Sequence, residues 1–146
     1  MNACVNTPRD VEEEKGVRDC YPVMAQLRPH LASVDEFVAR WRRQVAHGYR
    51  LVALFDDSRV LALAGFRVQE NLVYGRHLYI DDLVTDEALR GAGYGEQLMI
   101  FLKRKAQTEG CQRLVLDTPL SNSLGHRFYF RHGLLATSLR FQIATP

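Results

Sequence analysis

The sequence predicts a mixed α/β fold. Three observations carry that expectation. Two amphipathic helical stretches open the chain, period-two apolar runs follow them, and the second half alternates strand, helix, strand and helix. That alternation calls for at least one βαβ crossover, which is right-handed and joins parallel strands.

Each element has its own signal. From Asp10 to about Pro29, Val17, Cys20, Tyr21, Met24 and Leu27 recur at helical spacing. Pro22 interrupts the stretch, so the helix either begins near Asp19 with proline in its first turn or is kinked. A second helix is expected from about Ser33 to His47, with Ser33 and Glu36 as a capping box and Gly48 as its stop. Its Arg40, Arg42 and Arg43 read as a solvated face; the sharper alternative is a lining role at a pocket for an acidic substrate. Tyr49–Phe55 and Val60–Val68 read as strands joined by the Asp56-Asp57-Ser58 turn. A long strand follows from about Arg76 to Thr85. Gly95–Glu109 is a helix with Leu98, Leu102 and Ala106 on one stripe. Arg113–Thr118 is an apolar strand, Ser121–His132 a helix stopped by Gly133, and Leu139–Ile143 a last strand.

Composition narrows the function. The 146 residues fit a single domain spanning the whole chain. Nineteen Lys and Arg against 17 Asp and Glu leave a net charge of +2, which argues against nucleic acid or an anionic membrane as partner. No run of about 18 apolar residues could span a bilayer, and the early acids of the N-terminus do not resemble a secretory leader. Cys4, Cys20 and Cys111 are scattered, without metal-ligand spacing, and read as free thiols in a reducing cytoplasm; no metal site is expected.

The most specific local feature is Arg90-Gly91-Ala92-Gly93-Tyr94-Gly95, set between the long strand and an amphipathic helix. Alternate glycines let the backbone turn tightly and present successive N–H groups, and the helix N-terminus adds unsatisfied donors. Such a turn suits phosphate. It lacks the Lys-Ser/Thr of a Walker A loop and the GxGxxG order of a dinucleotide fold.

The segment Arg90-x-x-Gly93-x-Gly95 resembles the R/Q-x-x-G-x-G/A signature of the GNAT superfamily of N-acetyltransferases. Leu78–Thr85 is similar to that family's central strand, and Asn122-x-x-Gly125-x-x-Phe128-Tyr129-x-x-x-Gly133-Leu134 is similar to its N-x-x-A-x-x-F-Y-x-x-x-G-F. Gly125 stands where the family usually has alanine, and Leu134 where it has an aromatic. The resemblance is specific from Arg76 to Leu134, looser over Tyr49–Gln69, and before that rests on element order.

The resemblance implies a GNAT-like fold, a central mixed twisted sheet of about six or seven strands flanked by about four helices. It implies acetyl-CoA as cosubstrate and a primary amine, of a small molecule, as acceptor. The loop Arg90, Gly91, Ala92, Gly93, Tyr94 and Gly95 would cradle the pyrophosphate. Leu83, Val84 and Thr85 would meet the pantetheine arm through their main chain at a bulge, and Asn122 would contact pantetheine or phosphate. As a plain helix cap Asn122 is explained equally well. A homodimer is compatible by analogy only.

Acetyl transfer needs a base, because an amine of pKa near ~10 is mostly protonated at neutral pH. Asp81 and Asp82 are the candidates, directly or through water. In a regular strand they face opposite sides, and the family's bulge would shift that parity, so both remain open. The acid for the departing thiolate would be Tyr129, which matches the family's tyrosine. Gly125, one turn before it, removes bulk where a cofactor could pass. The five histidines read as structural or surface residues, with His77 near the cleft mouth. Arg67, Arg76, Arg127 and Arg131 hint at an acceptor with an anionic group. A ternary complex with direct transfer fits better than a cysteine intermediate, since Cys111 lacks a base. The rival readings are a non-catalytic acyl-CoA sensor, which would have no need of Asp81, Asp82 and Tyr129, and an acetyltransferase acting on a protein N-terminus or lysine.

Overall fold

A computed structural model describes residues 7–146; Cys4 lies outside them. The chain divides into two compact units, one ending at Val115 and the other spanning Leu116–Pro146. The first holds β1 (Arg9–Asp10), α1 (Glu14–Leu27), α2 (Val34–Val45), β2 (Arg50–Asp56), β3 (Arg59–Asn71), β4 (Gly75–Thr85), a 3₁₀ turn at Glu87–Leu89, α3 (Tyr94–Thr108) and nearly all of β5 (Arg113–Leu116). The second holds α4 (Ser123–Arg131).

The five strands lie in the order β1-β2-β3-β4-β5, the first four as antiparallel neighbours. After α3 the chain returns to lay β5 beside β4. The mixed α/β class and the four helices agree with expectation, and the strand count is lower than six or seven. The strand expected at Leu139–Ile143 does not form. Leu139, Phe141 and Ile143 do alternate, but they are 65%, 88% and 88% exposed. A period-two pattern does not make a strand by itself; the strand also needs cross-strand partners and a buried face.

Helix α1 runs through Pro22, which overturns a start near Asp19. Its missing N–H costs one main-chain bond, and the buried face of Val17, Cys20, Val23 and Met24 holds the helix to the core. Asp10 is not helical; Arg9 and Asp10 pair with Ala53 and Val52. In α2, the Ser33 hydroxyl accepts from Glu36 N–H at 3.1 Å, and Glu36 in return accepts from Ala32 N–H at 2.9 Å. This is the capping logic read from the sequence, displaced by one residue. Phe37, Val38 and Trp41 form the buried face of α2. Leu98, Met99, Leu102 and Ala106 do the same for α3. Each such fully buried leucine contributes about 1.5–3 kcal/mol.

One irregularity positions the site. Ile80 pairs with Phe66 and Asp82 with Gly65, so Asp81 is an extra residue on β4. This is a β-bulge, which re-aims side chains at one point of a strand. No helix among the described residues is long and apolar enough to cross a membrane.

Candidate active site

The bulge brings both candidate carboxylates to one cavity. Regular alternation would send Asp81 and Asp82 to opposite faces of the sheet. With the extra residue, both line one cavity of about 300 Å³ in the first unit, together with Met24, Arg28, Trp41 and Tyr49. The walls come from α1, the loop after it, α2 and Tyr49 just before β2; the two carboxylates come from β4.

The carboxylates differ in their partners. Asp82 accepts from the Tyr49 hydroxyl at 2.7 Å and from Arg28 Nε at 2.9 Å, so it is held on both sides. Burial first, then the neighbouring Asp82 carboxylate, pushes the Tyr49 phenol well above its usual range, so it stays a donor. The bond exists because residue 65 is glycine: a Cβ there would overlap the Tyr49 hydroxyl and crowd Asp82 Oδ2. Asp81 is anchored at one oxygen only. Its Oδ2 accepts from Arg67 Nε at 2.8 Å, and the second Arg67 amino group donates to Gln44 at 2.7 Å. Its Oδ1 is buried and has no partner among the described residues. Burial raises the Asp81 pKa, and the Arg67 guanidinium opposes that rise. Arg28 also donates to the Asp81 main-chain carbonyl at 2.7 Å, clamping the bulge.

Beyond the bulge, Leu83, Val84 and Thr85 are half-buried and pair with Ala64, Leu63 and Ala62 of β3. On its other side β4 has only the four residues of β5. Gln112, just before β5, donates to the Arg76 carbonyl at 2.9 Å, so the covered stretch lies at the start of β4. A four-residue strand beginning there does not reach Leu83.

The loop between β4 and α3 exposes Arg90, Gly91 and Ala92. Gly91 and Gly93 have φ of +86° and +87°, a conformation that disfavours any side chain. Gly93 is the N-cap of α3, and no side chain caps its first turn. Tyr94 and Gly95 open the helix. A Cβ at Gly91 or Gly93 would meet only open space. Open space in front of uncapped N–H groups fits a phosphate-bearing ligand.

In the second unit, Asn122 is the N-cap of α4: its Oδ1 accepts from Gly125 N–H at 3.2 Å and its Nδ2 donates to Thr118 at 3.0 Å. The missing side chain of Gly125 makes room for the Asn122 amide, which a Cβ would overlap. Tyr129 is half-buried on α4 and packs edge-on to Phe128. Burial pushes its phenol up. Its carbonyl accepts from Leu134 N–H at 3.0 Å as the helix ends at Gly133.

Other expectations are corrected here. Arg67 serves Asp81 and Gln44. Arg76 donates to the Glu109 carbonyl at 2.6 Å. His77 is 1% exposed, its ring nitrogens facing Gly75 O and the Gln69 amide, so it is not at a cleft mouth. The sequence reading missed Arg28, Tyr49, Gly65 and Trp41. Arg28, Tyr49 and Gly65 meet Asp82 from distant points of the chain, and only the pairing of Gly65 with Asp82 lies within a strand register.

The profile of the acetyltransferase (GNAT) family matches residues 17–134, and the chain belongs to that family. It is 32% identical over 112 residues to an uncharacterized N-acetyltransferase of Bacillus subtilis, YhdJ, covering 76% of this chain and 78% of the relative. It is 27% identical to a glucosamine 6-phosphate N-acetyltransferase of Trypanosoma brucei brucei, covering 90% and 96%. The fold superposes with a TM-score of 0.82 on AAC(6')-Iy, solved in complex with a bisubstrate analog, CoA-S-monomethyl-acetylneamine; that chain is 15% identical, with 95% and 97% covered.

Proposed function

We propose that this N-acetyltransferase moves the acetyl group of acetyl-CoA directly to a primary amine of a small molecule, with residues 1–146 acting as one acetyltransferase domain. The single observation that carries the reading is Asp81. Its Oδ2 is fixed by Arg67 while its buried Oδ1 is left without a partner among the described residues, and Asp81 lines the cavity. A carboxylate held that way, with its pKa raised by burial, is suited to take a proton from an ammonium group. Asp82, bonded by Tyr49 and Arg28, is a poorer base and holds the architecture instead.

The donor groups for acetyl-CoA are main-chain ones. Gly91, Ala92, Gly93, Tyr94 and Gly95 would receive the phosphates at the start of α3, with Arg90 adding a cation. Leu83, Val84 and Thr85 would present the edge of β4 left uncovered by β5. When bound, acetyl-CoA supplies the activated acetyl thioester. Tyr129 Oη, its pKa raised, holds its proton and acts as a hydrogen-bond donor to a leaving thiolate before any transfer. Asn122 serves as the cap of α4 and contributes to cofactor binding at most indirectly.

A cavity of about 300 Å³ sits at the low end of ligand pockets and supports a small acceptor over a polypeptide. The substrate named for the trypanosomal relative, a phosphorylated amino sugar, is of that size class. The two free thiols among the described residues, Cys20 and Cys111, are consistent with a reducing compartment.

The test is the melting temperature with and without excess acetyl-CoA. At ~100 times the dissociation constant, binding stabilises by about 2.7 kcal/mol, several degrees for a domain of this size. A clear rise in the wild type that disappears in Gly93→Pro supports the loop assignment. No rise at millimolar acetyl-CoA removes the cofactor and the reaction with it.

A further inference from the structure

The cavity lined by Asp81 is lined also by Trp41, a second residue with a buried polar atom that has no partner among the described residues. Trp41 is 9% exposed, and among the described residues nothing accepts from its indole Nε1. Buried polar groups are nearly always satisfied, so two orphans on one small cavity call for a common explanation. They are complementary in kind. Asp81 Oδ1 is an acceptor, and Trp41 Nε1 can only donate. A ligand that satisfies both brings a donor to β4 and an acceptor to α2.

The charges around the cavity are segregated in the same sense. Acids come only from the sheet, as Asp81 and Asp82, whereas Arg28, His30 and Arg40 line the side built by α1, the loop after it and α2. Arg28 is committed to the bulge. Arg40, 44% exposed, shares its Nε and one amino nitrogen with Glu36 Oε1 at 3.2 and 3.0 Å, and a guanidinium has further donors beyond these. Helical spacing puts Phe37, Arg40, Trp41 and Gln44 on one face of α2, all on the cavity. The arginine face of α2 is thus not wholly a solvated one.

We infer that Trp41 is a specificity-determining residue: its indole N–H, supported by Arg40 and His30, takes an oxygen of an anionic group on the same small molecule whose amine faces Asp81. The acceptor class is therefore a primary amine carrying a phosphate, phosphonate or carboxylate a few bonds away. This rests on the acetyl-transfer reading above and narrows it.

Trp41 is the only tryptophan of the chain, so its fluorescence reports this cavity alone. The experiment titrates the protein with 2-aminoethyl phosphate, β-alanine, n-butylamine and spermidine, following fluorescence and, with acetyl-CoA present, release of the CoA thiol. Expected is a saturable fluorescence change with the anionic amines, and kcat/KM at least tenfold higher for one of them than for n-butylamine. In Trp41→Phe, and separately in Arg40→Gln, that preference falls at least tenfold, through KM and not kcat. Arg40 is exposed, so its variant keeps the test sound if Trp41→Phe folds poorly.

The two readings fail differently. Saturable fluorescence with 2-aminoethyl phosphate but acetylation of no amine would uphold the anion subsite and remove the transfer reaction. Acetylation of n-butylamine or spermidine as fast as of the anionic amines would uphold transfer and overturn the role of Trp41. Loss of rate in Trp41→Phe that is equal for all amines would also overturn it, because a purely structural tryptophan predicts that result. No fluorescence change and no acetylation with any amine would overturn both.

Discussion

The Tyr49 hydroxyl reaches Asp82 Oδ2 at 2.7 Å through the space that Gly65 leaves by having no side chain. Tyr49, just before β2, thereby locks to β3 and β4 at one point, beside the bulge that carries Asp81. The lock fixes Asp82 and leaves Asp81 as the carboxylate with an oxygen to spare.

Gly65→Ala is expected to destabilise the protein by about 1–3 kcal/mol, the usual cost of overpacking, since neither the Tyr49 ring nor Asp82 can step aside while bonded. Urea denaturation with the slope held constant measures it. A loss of less than about 0.5 kcal/mol would mean that the lock is loose.

Arg67 is expected to set the pH range over which Asp81 works. Its positive charge opposes the rise that burial imposes on Asp81. Arg67→Ala is expected to raise Asp81 further and move the acid limb of the kcat/KM profile to higher pH, with Arg67→Lys restoring part of the shift. A merely structural Arg67 would lower the rate without moving the limb.

The same group leaves a mark on stability. The folded Asp81 binds its proton more tightly than the ordinary carboxylate at 3.8. Its contribution is whole below that value and is lost as pH rises through the raised folded value. The stability difference between wild type and Asp81→Asn should therefore fall with rising pH across that window and be flat above it, as read by denaturation at a series of pH values. A difference that grew with pH would show that pairing with Arg67 outweighs burial.

Tyr129→Phe is expected to lower kcat by about 10- to 100-fold with little change in KM, the loss of one hydrogen bond to developing charge. Because burial lifts the phenol above 10.0, Tyr129 should impose no basic limb on the wild-type profile below that pH. A limb near neutrality that vanished in Tyr129→Phe would show a phenol that ionises during turnover.

What the sequence disclosed follows from the range over which its signals act. Helix α3 was readable because Leu98, Leu102 and Ala106 repeat within one element, and the glycine loop because its residues are consecutive. Ser33 and Glu36 are three apart and cap their own helix. The lock was not readable: Tyr49, Gly65 and Asp82 are far apart in the chain, and each looks ordinary alone. The bulge entered only through family resemblance, since an extra residue in β4 shows itself only against β3. Strand β1 is two residues long, too short to show a period. The error at Leu139–Ile143 is the converse, a period whose residues stay exposed and pair with no strand. Arg67 was noticed for its charge and assigned to the acceptor, whereas β-pairing sets it opposite Tyr79 and beside Asp81.

The most direct measurement of the central claim compares acetyl transfer by Asp81→Asn and Asp82→Asn, with CoA thiol release as the signal and the acetyl-CoA melting shift as the control. Asp81→Asn is expected to lose about 10²–10⁴-fold in kcat while its melting shift persists, the share of rate that a positioned base supplies. Asp82→Asn should lose stability first and activity less. An Asp81→Asn protein that binds acetyl-CoA and turns over at close to the wild-type rate would contradict the account.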